Sequence, residues 1–167
     1  MNTPPNLGMQ VTTFENPMGI DGFEFVEFAA PAGQAHLLHD YFKTLGFSQV
    51  ARHKTRAIST YRQGDCTFLI NEDPDSFAAR FAAEHGPSAC GFAIRVKKLA
   101  EWARVQALKN GAESFDDADE LTKAVAAPVI KGIGDCMLYI VDRYDDQGTI
   151  HDPDYEWLPG VDKMPKG

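Results

Sequence analysis

Five histidines are the residues of this 167-residue sequence best suited to metal or acid–base chemistry. His36 and His39 stand three apart in an apolar-periodic segment, a spacing that puts both on one face of a helix. Two imidazoles so placed can hold a divalent cation, but a boundary position on a solvated helix face needs no metal. We expect the second. His53 follows Arg52 at a strand end or turn. His85 precedes Gly86-Pro87, where a helix end favours a cationic side chain. His151 lies in the segment leading out of the last strong strand. None of the five joins a Glu or Asp at a recognised ligand spacing. Cys66, Cys90 and Cys136 are odd in number, widely spaced and flanked by apolar residues. They read as buried thiols, not as a disulfide framework or a metal knuckle. No Gly-x-Ser-x-Gly turn supports a serine nucleophile. Gly132-x-Gly134 precedes a strand, so it is a turn and not a phosphate loop. No catalytic, cofactor-binding or metal-binding residue is expected on these grounds.

One charged pair stands out. Strand alternation places Gly22, Glu24 and Val26 on one face, and Gly91, Ala93 and Arg95 on another. If both faces line one concavity, Glu24 and Arg95 project into it. A lone buried charge is costly, so the two should meet directly or through water. They form either a polar plug or a carboxylate–guanidinium pair that greets a ligand, and the plug is the simpler expectation.

The elements that position these residues follow from periodicity. Residues 22–28 alternate as a strand. Residues 34–45 carry Leu37, Leu38, Tyr41, Phe42 and Leu45 on one helical face, with Gly46 as the stop. Strands are expected at 47–52, 58–62 and 66–71, the last two joined by a turn at 63–65. A short helical insert starts at Pro74-Asp75-Ser76. A strand at 90–96 and an amphipathic helix at 99–108, with Trp102, Val105 and Leu108, come next. Weak strand signals lie at 112–115 and 129–131, and a strong one at 136–142.

Composition limits the partners. Lys and Arg number 16 and Asp and Glu 24, for a net charge of −8. An acidic chain without a basic block suits neither nucleic acid nor an anionic membrane. No run of about 18 apolar residues spans a bilayer, and residues 1–17 lack a signal-peptide pattern, so a cytoplasmic protein is expected.

The element order repeats. Gly64-Asp65-Cys66-Thr67-Phe68-Leu69-Ile70 matches Gly134-Asp135-Cys136-Met137-Leu138-Tyr139-Ile140, 70 residues later, and Gly22-Phe23 matches Gly91-Phe92, 69 residues later. The expected fold class is α+β: two tandem βαβββ modules forming one vicinal oxygen chelate-type domain, a sheet cup covered by outer helices. The modules are placed at about 21–73 and 88–145, with the insert at 74–86. Residues 1–20 are an N-terminal extension, 21–154 the domain, and the Pro- and Gly-rich 155–167 a linker.

Several longer motifs narrow the resemblance. Residues 16–28, Asn-Pro-Met-Gly-Ile-Asp-Gly-Phe-Glu-Phe-Val-Glu-Phe, resemble the opening of bacterial 4-hydroxyphenylpyruvate dioxygenases. Tyr61-Arg62-Gln63-Gly64-Asp65, the segments 74–78 and 83–90, Lys131-Gly132-Ile133-Gly134 and residues 139–144 are similar to later parts of the same family, in the same order. The resemblance covers about residues 16–160. It implies an enzyme of two such domains. Its second domain holds Fe(II) through two histidines and a glutamate, leaving open positions for an α-keto acid and O2. That enzyme converts 4-hydroxyphenylpyruvate to homogentisate with loss of CO2, in tyrosine catabolism. On this chain, the resemblance places Gly22, Gly91 and Tyr139 at the three ligand positions, so no metal triad is expected here. The implied partners are a C-terminal catalytic domain and further copies in a homo-oligomer. The leading expectation is a metal-free scaffold domain, inactive alone. The alternatives are a stand-alone binder of small aromatic molecules and, less favoured, a metal enzyme with unorthodox ligands.

Overall fold

The computed structural model describes residues 15–115 and 123–163. The elements are β1 (Ile20–Ala29), α1 (Ala35–Thr44), β2 (Ser48–His53), β3 (Ile58–Gln63), β4 (Cys66–Asn71), α2 (Phe77–His85), β5 (Ser88–Val96), α3 (Ala100–Lys109), β6 (Val129–Lys131), β7 (Met137–Val141) and β8 (Tyr155–Trp157). All eight strands join one sheet in the order β6-β7-β5-β1-β4-β3-β2-β8.

The sheet order displays the repeat. In the first half β1 pairs in parallel with β4, and β3 and β2 follow outward. In the second half β5 pairs in parallel with β7, and β6 follows. The second half's counterpart of β2 is reduced to one bridge, between Ser114 and Ile130, where a strand at 112–115 was expected. The first strands of the two halves, β1 and β5, meet antiparallel at the centre. The fold is thus the expected mixed α+β sheet with few helices, and α2 lies between the two halves.

Local chemistry explains the helix ends. Ser76 caps α2, its Oγ accepting from the Ala79 N–H at 3.1 Å. α1 stops where Gly46 takes a φ of +91°, a region open to glycine, and the Phe47 N–H closes on the Phe42 carbonyl at 2.9 Å. Leu99 offers α3 no cap. Asp142, just past β7, supplies it by accepting from the Ala100 N–H at 2.8 Å.

The two faces of the sheet bury different residues. Outside, α1 sets Phe42 against Tyr61 and Ile70, with Phe28 and Phe68 completing the packing. α3 packs Ala100, Ala103 and Ala107 against Val96, Ile130 and Ile140. This corrects the expected helix faces. The alanines of α3 go inward and leave Leu99 and Trp102 exposed, while α1 exposes Leu37, Tyr41 and Leu45. Small side chains let α3 lie close to the sheet, so its bulky residues are turned outward. The concave face carries Phe25, Leu69, Ala93, Met137 and Tyr139 from both halves, with Ala124, Val125, Ile150 and Tyr155 packed into it.

The domain also extends past residue 154. Tyr155 and Trp157, placed at the head of a linker by the sequence, form β8 and pair with His53 and Ala51 of β2. Cys66 is another correction. It is exposed at the start of β4, whereas Cys90 and Cys136 are buried, and all three are free thiols.

Candidate functional site

The centre of the concave face is built around Glu27. Its side chain is fully buried. Asn71 at the end of β4 donates to Oε1 at 2.7 Å, and the Tyr139 hydroxyl on β7 donates to Oε2 at 2.7 Å. The Tyr139 oxygen in turn accepts from the Ala124 N–H at 3.1 Å, and Tyr155 donates to the Ala124 carbonyl at 2.8 Å. One carboxylate thereby ties β1, β4, β7, β8 and the segment before β6. Burial raises the Glu27 carboxyl above its ordinary value, against the opposing pull of the Asn71 and Tyr139 hydrogen bonds. Burial also pushes the Tyr139 phenol well up, and the Glu27 charge adds to it.

Gly91 makes room for this network. A Cβ there would meet Tyr139 Cε2 at 3.1 Å, Glu27 Oε2 at 3.2 Å and the Met137 carbonyl at 3.3 Å. Gly22 has no such setting: it stands at the exposed start of β1, with a φ of +118° and nothing within 4 Å of a Cβ. The expected equivalence of Gly22 and Gly91 therefore shifts. Val26 faces Phe92 across the central pair, Val26 lies beside Phe68, and Phe92 lies beside Leu138. The local two-fold relation makes Phe25 the counterpart of Gly91 and Ala93 the counterpart of Glu27. Between Gly22 and this part of the strand, β1 carries register shifts, one between Ile20 and Phe23 and one between Phe23 and Phe25.

The donor set here does not fit a face of two histidines and a carboxylate. Glu27 is a carboxylate with both oxygens engaged, Tyr139 is a neutral phenol, and Gly91 and Ala93 carry no donor atom.

Glu24 and Arg95 do meet, on the same concave side. Arg95 Nε donates to Glu24 Oε2 at 2.5 Å, and the guanidinium lies 5.0 Å from the Tyr144 ring centre. Burial raises the Glu24 carboxyl, against the pull of Arg95. The pair borders a cavity of about 660 Å3. Thr60, Arg62, Thr67, His151 and Trp157 also line it. Arg62 donates to the backbone carbonyls of Asp162 and Lys163.

The histidines scatter. His36 Nδ1 bonds the Gly33 carbonyl at 3.0 Å. His39 bridges Tyr61 and Glu72, both at 2.8 Å, so it ties α1 to the sheet, and the two rings share no partner. His53 Nδ1 accepts the Thr55 and Arg56 N–H groups at 3.2 Å. His85 ends α2 against Phe81, ring centres 4.3 Å apart. His151, set in the exit segment by the sequence, is instead buried among Phe25, Tyr155 and Trp157. Burial lowers its pKa to about 4. Sequence reasoning missed Glu27 and Asn71. The only signal was a second glutamate, three residues after Glu24, in an otherwise apolar strand.

Among the described residues, no helix is long and apolar enough to cross a membrane. Residues 14–156 match the family described as hydroxyphenylpyruvate dioxygenase, HPPD, N-terminal. The chain is 42% identical over 154 residues to a 4-hydroxyphenylpyruvate dioxygenase of Pseudomonas sp. (strain P.J. 874), covering 92% of this chain and 42% of that one. It is 44% identical over 144 residues to hemolysin VllY of Vibrio vulnificus (strain CMCP6), covering 85% and 39% respectively. Among solved structures it resembles a xylose isomerase-like TIM barrel/4-hydroxyphenylpyruvate dioxygenase fusion protein. The TM-score is 0.73 at 29% identity, over 84% of this chain and 22% of that one. The chain thus spans less than half the length of these relatives. From residue 14 to residue 156, this chain belongs to the hydroxyphenylpyruvate dioxygenase family, as its N-terminal domain.

Proposed function

We propose that this chain is the metal-free half of a 4-hydroxyphenylpyruvate dioxygenase and acts as a scaffold. In the whole enzyme, 4-hydroxyphenylpyruvate and O2 become homogentisate and CO2 on Fe(II) held by a second, C-terminal domain. That domain is the partner, within a cytoplasmic homo-oligomer. The observation that carries the reading is the Glu27–Tyr139–Asn71 network. It fills the middle of the concave face with hydrogen-bonded side chains, where an iron site needs ligands with free lone pairs. Such a satisfied polar network rigidifies a domain and fixes how its halves meet.

The test is O2 uptake by the purified chain with 4-hydroxyphenylpyruvate, Fe(II) and a reductant, with homogentisate assayed in parallel. Uptake equal to the protein-free iron blank supports the reading. Turnover abolished by a chelator overturns it.

A further inference from the structure

Part of the wall of the 660 Å3 cavity does not come from the body of the sheet. Trp157, Asp162 and Lys163 belong to β8 and the segment after it. Four residues explain how that segment reaches the cavity. The Val161 N–H donates to the Leu158 carbonyl at 3.3 Å, and Gly160 between them takes a φ of +78°. Proline followed by glycine at the two central positions is the pattern of a type II turn, which needs a positive φ at the second. The turn reverses the chain after β8 and returns Asp162 and Lys163 to the cavity.

Arg62 fastens the returned segment. From β3, its guanidinium donates to the Lys163 carbonyl at 3.1 Å and to the Asp162 carbonyl, and it lies 5.8 Å from the Trp157 ring centre. The planar fork of a guanidinium suits two neighbouring carbonyls at once. Lys163 Nζ adds an ion pair with Asp152 at 3.8 Å, between two side chains about half exposed, where such a pair contributes little. The start of the segment is anchored by the Leu158 N–H, which donates to the Val50 carbonyl at 2.9 Å. Beyond Leu158, Pro159, Gly160, Asp162 and Lys163 are exposed, so burial adds little to the hold. Segments with few buried contacts open locally at low free energy.

We propose that residues 159–163 are a movable wall of this cavity, hinged at Pro159-Gly160 and latched by Arg62, and that unlatching widens the cavity while β8 stays paired. The proposal is independent of the scaffold reading, because neither Glu27, Asn71 nor Tyr139 lines the cavity. The segment that carries the chain away from the sheet thereby governs access to the interior of the cup.

The experiment reads access and motion separately in the 167-residue chain. Thr67→Cys puts a thiol on the lining, combined with Cys66→Ser because Cys66 is exposed and would react. Alkylation of position 67 by iodoacetamide is followed by mass spectrometry with and without Arg62→Met, which keeps an unbranched side chain and removes the donors. The expected result is alkylation at least tenfold faster in Arg62→Met. Backbone order parameters from 15N relaxation are expected to fall from about 0.85 to below about 0.6 at residues 161–163 and to stay high at residues 155–157. Arg52→Met, which removes the exposed Arg52–Glu156 pair beside β8 and leaves Arg62 in place, is expected to change neither readout. Circular dichroism, with the buried Cys90 and Cys136 unreactive, confirms that each variant is folded. Alkylation at the parent rate in Arg62→Met, unchanged order at residues 161–163, or loss of order through β8 as well overturns the proposal; the last outcome would make Arg62 a support of the strand and not a latch.

Discussion

The Tyr139 hydroxyl donates to Glu27 Oε2 at 2.7 Å, linking residues 112 positions apart across the two halves of the sheet. Each side chain is buried, and each leaves other groups stranded if its partner goes. Tyr139→Phe removes one donor to the carboxylate and the acceptor of the Ala124 N–H. It is expected to cost about 1–3 kcal/mol of stability. Urea denaturation checks it: the midpoint falls while the slope stays constant.

Glu27 carries a pH signature. Its carboxyl is raised in the folded chain, chiefly by burial, so the fold prefers the protonated form more than the unfolded chain does. That preference is fully present below the unfolded pKa. It is lost as pH rises from the ordinary glutamate range through the raised folded value. Glu27→Gln keeps the shape and removes the titration. Its stability relative to the parent is expected to improve from pH 4 to pH 8 in parallel urea titrations, and an unchanged difference would refute the assignment.

His151 works in the opposite direction. Its pKa is lowered to about 4 by burial, so the unfolded chain binds the proton more readily. Stability is full above the unfolded value and declines as pH falls toward the folded one, a loss of about 3 kcal/mol by linkage. His151→Phe is expected to flatten that part of the profile, measured as thermal midpoints between pH 7 and pH 4.

Gly91→Ala tests the close packing at the centre. The added methyl meets three neighbours at 3.1 to 3.3 Å, one of them a backbone carbonyl that cannot swing away. Overpacking of this kind costs about 1–3 kcal/mol, which lowers the thermal midpoint by several degrees. At Gly22, a methyl meets nothing within 4 Å, and any cost arises from its φ of +118° alone.

Arg95→Met leaves the Glu24 carboxylate, whose side chain is only 10% exposed, without its ion partner. The expected cost is about 1–2 kcal/mol, below that of a fully buried pair because Arg95 retains solvent contact. Adding Glu24→Gln is expected to return most of it, and a double-mutant cycle reads the coupling.

Much of this was legible in the sequence. The 70-residue echo of Gly64–Ile70 in Gly134–Ile140 does correspond to β4 and β7, which lie in matching places beside β1 and β5. Alternation also brought Glu24 and Arg95 to one side. It failed to find Glu27, because register shifts near Phe23 and Phe25 let both Glu24 and Phe25 reach the concave side. A bulge leaves no mark in a run of apolar and acidic residues. β8 was missed because three residues between Pro153 and Pro159 are too few to show a period, and their pairing comes from β2, a hundred residues earlier.

That late strand has a mechanical consequence. β8 lies at the far end of the sheet from β7, the strand that precedes it in sequence. A pull on the chain beyond Trp157 is borne by the bonds of Arg62 to the Asp162 and Lys163 carbonyls, by the Leu158 N–H on the Val50 carbonyl and by the three residue pairs that join β8 to β2, and not by β6 and β7. Tension from that direction peels the sheet from the first half's edge inward, drawing Tyr155 off the Ala124 carbonyl while the Asn71 and Tyr139 bonds to Glu27 still hold.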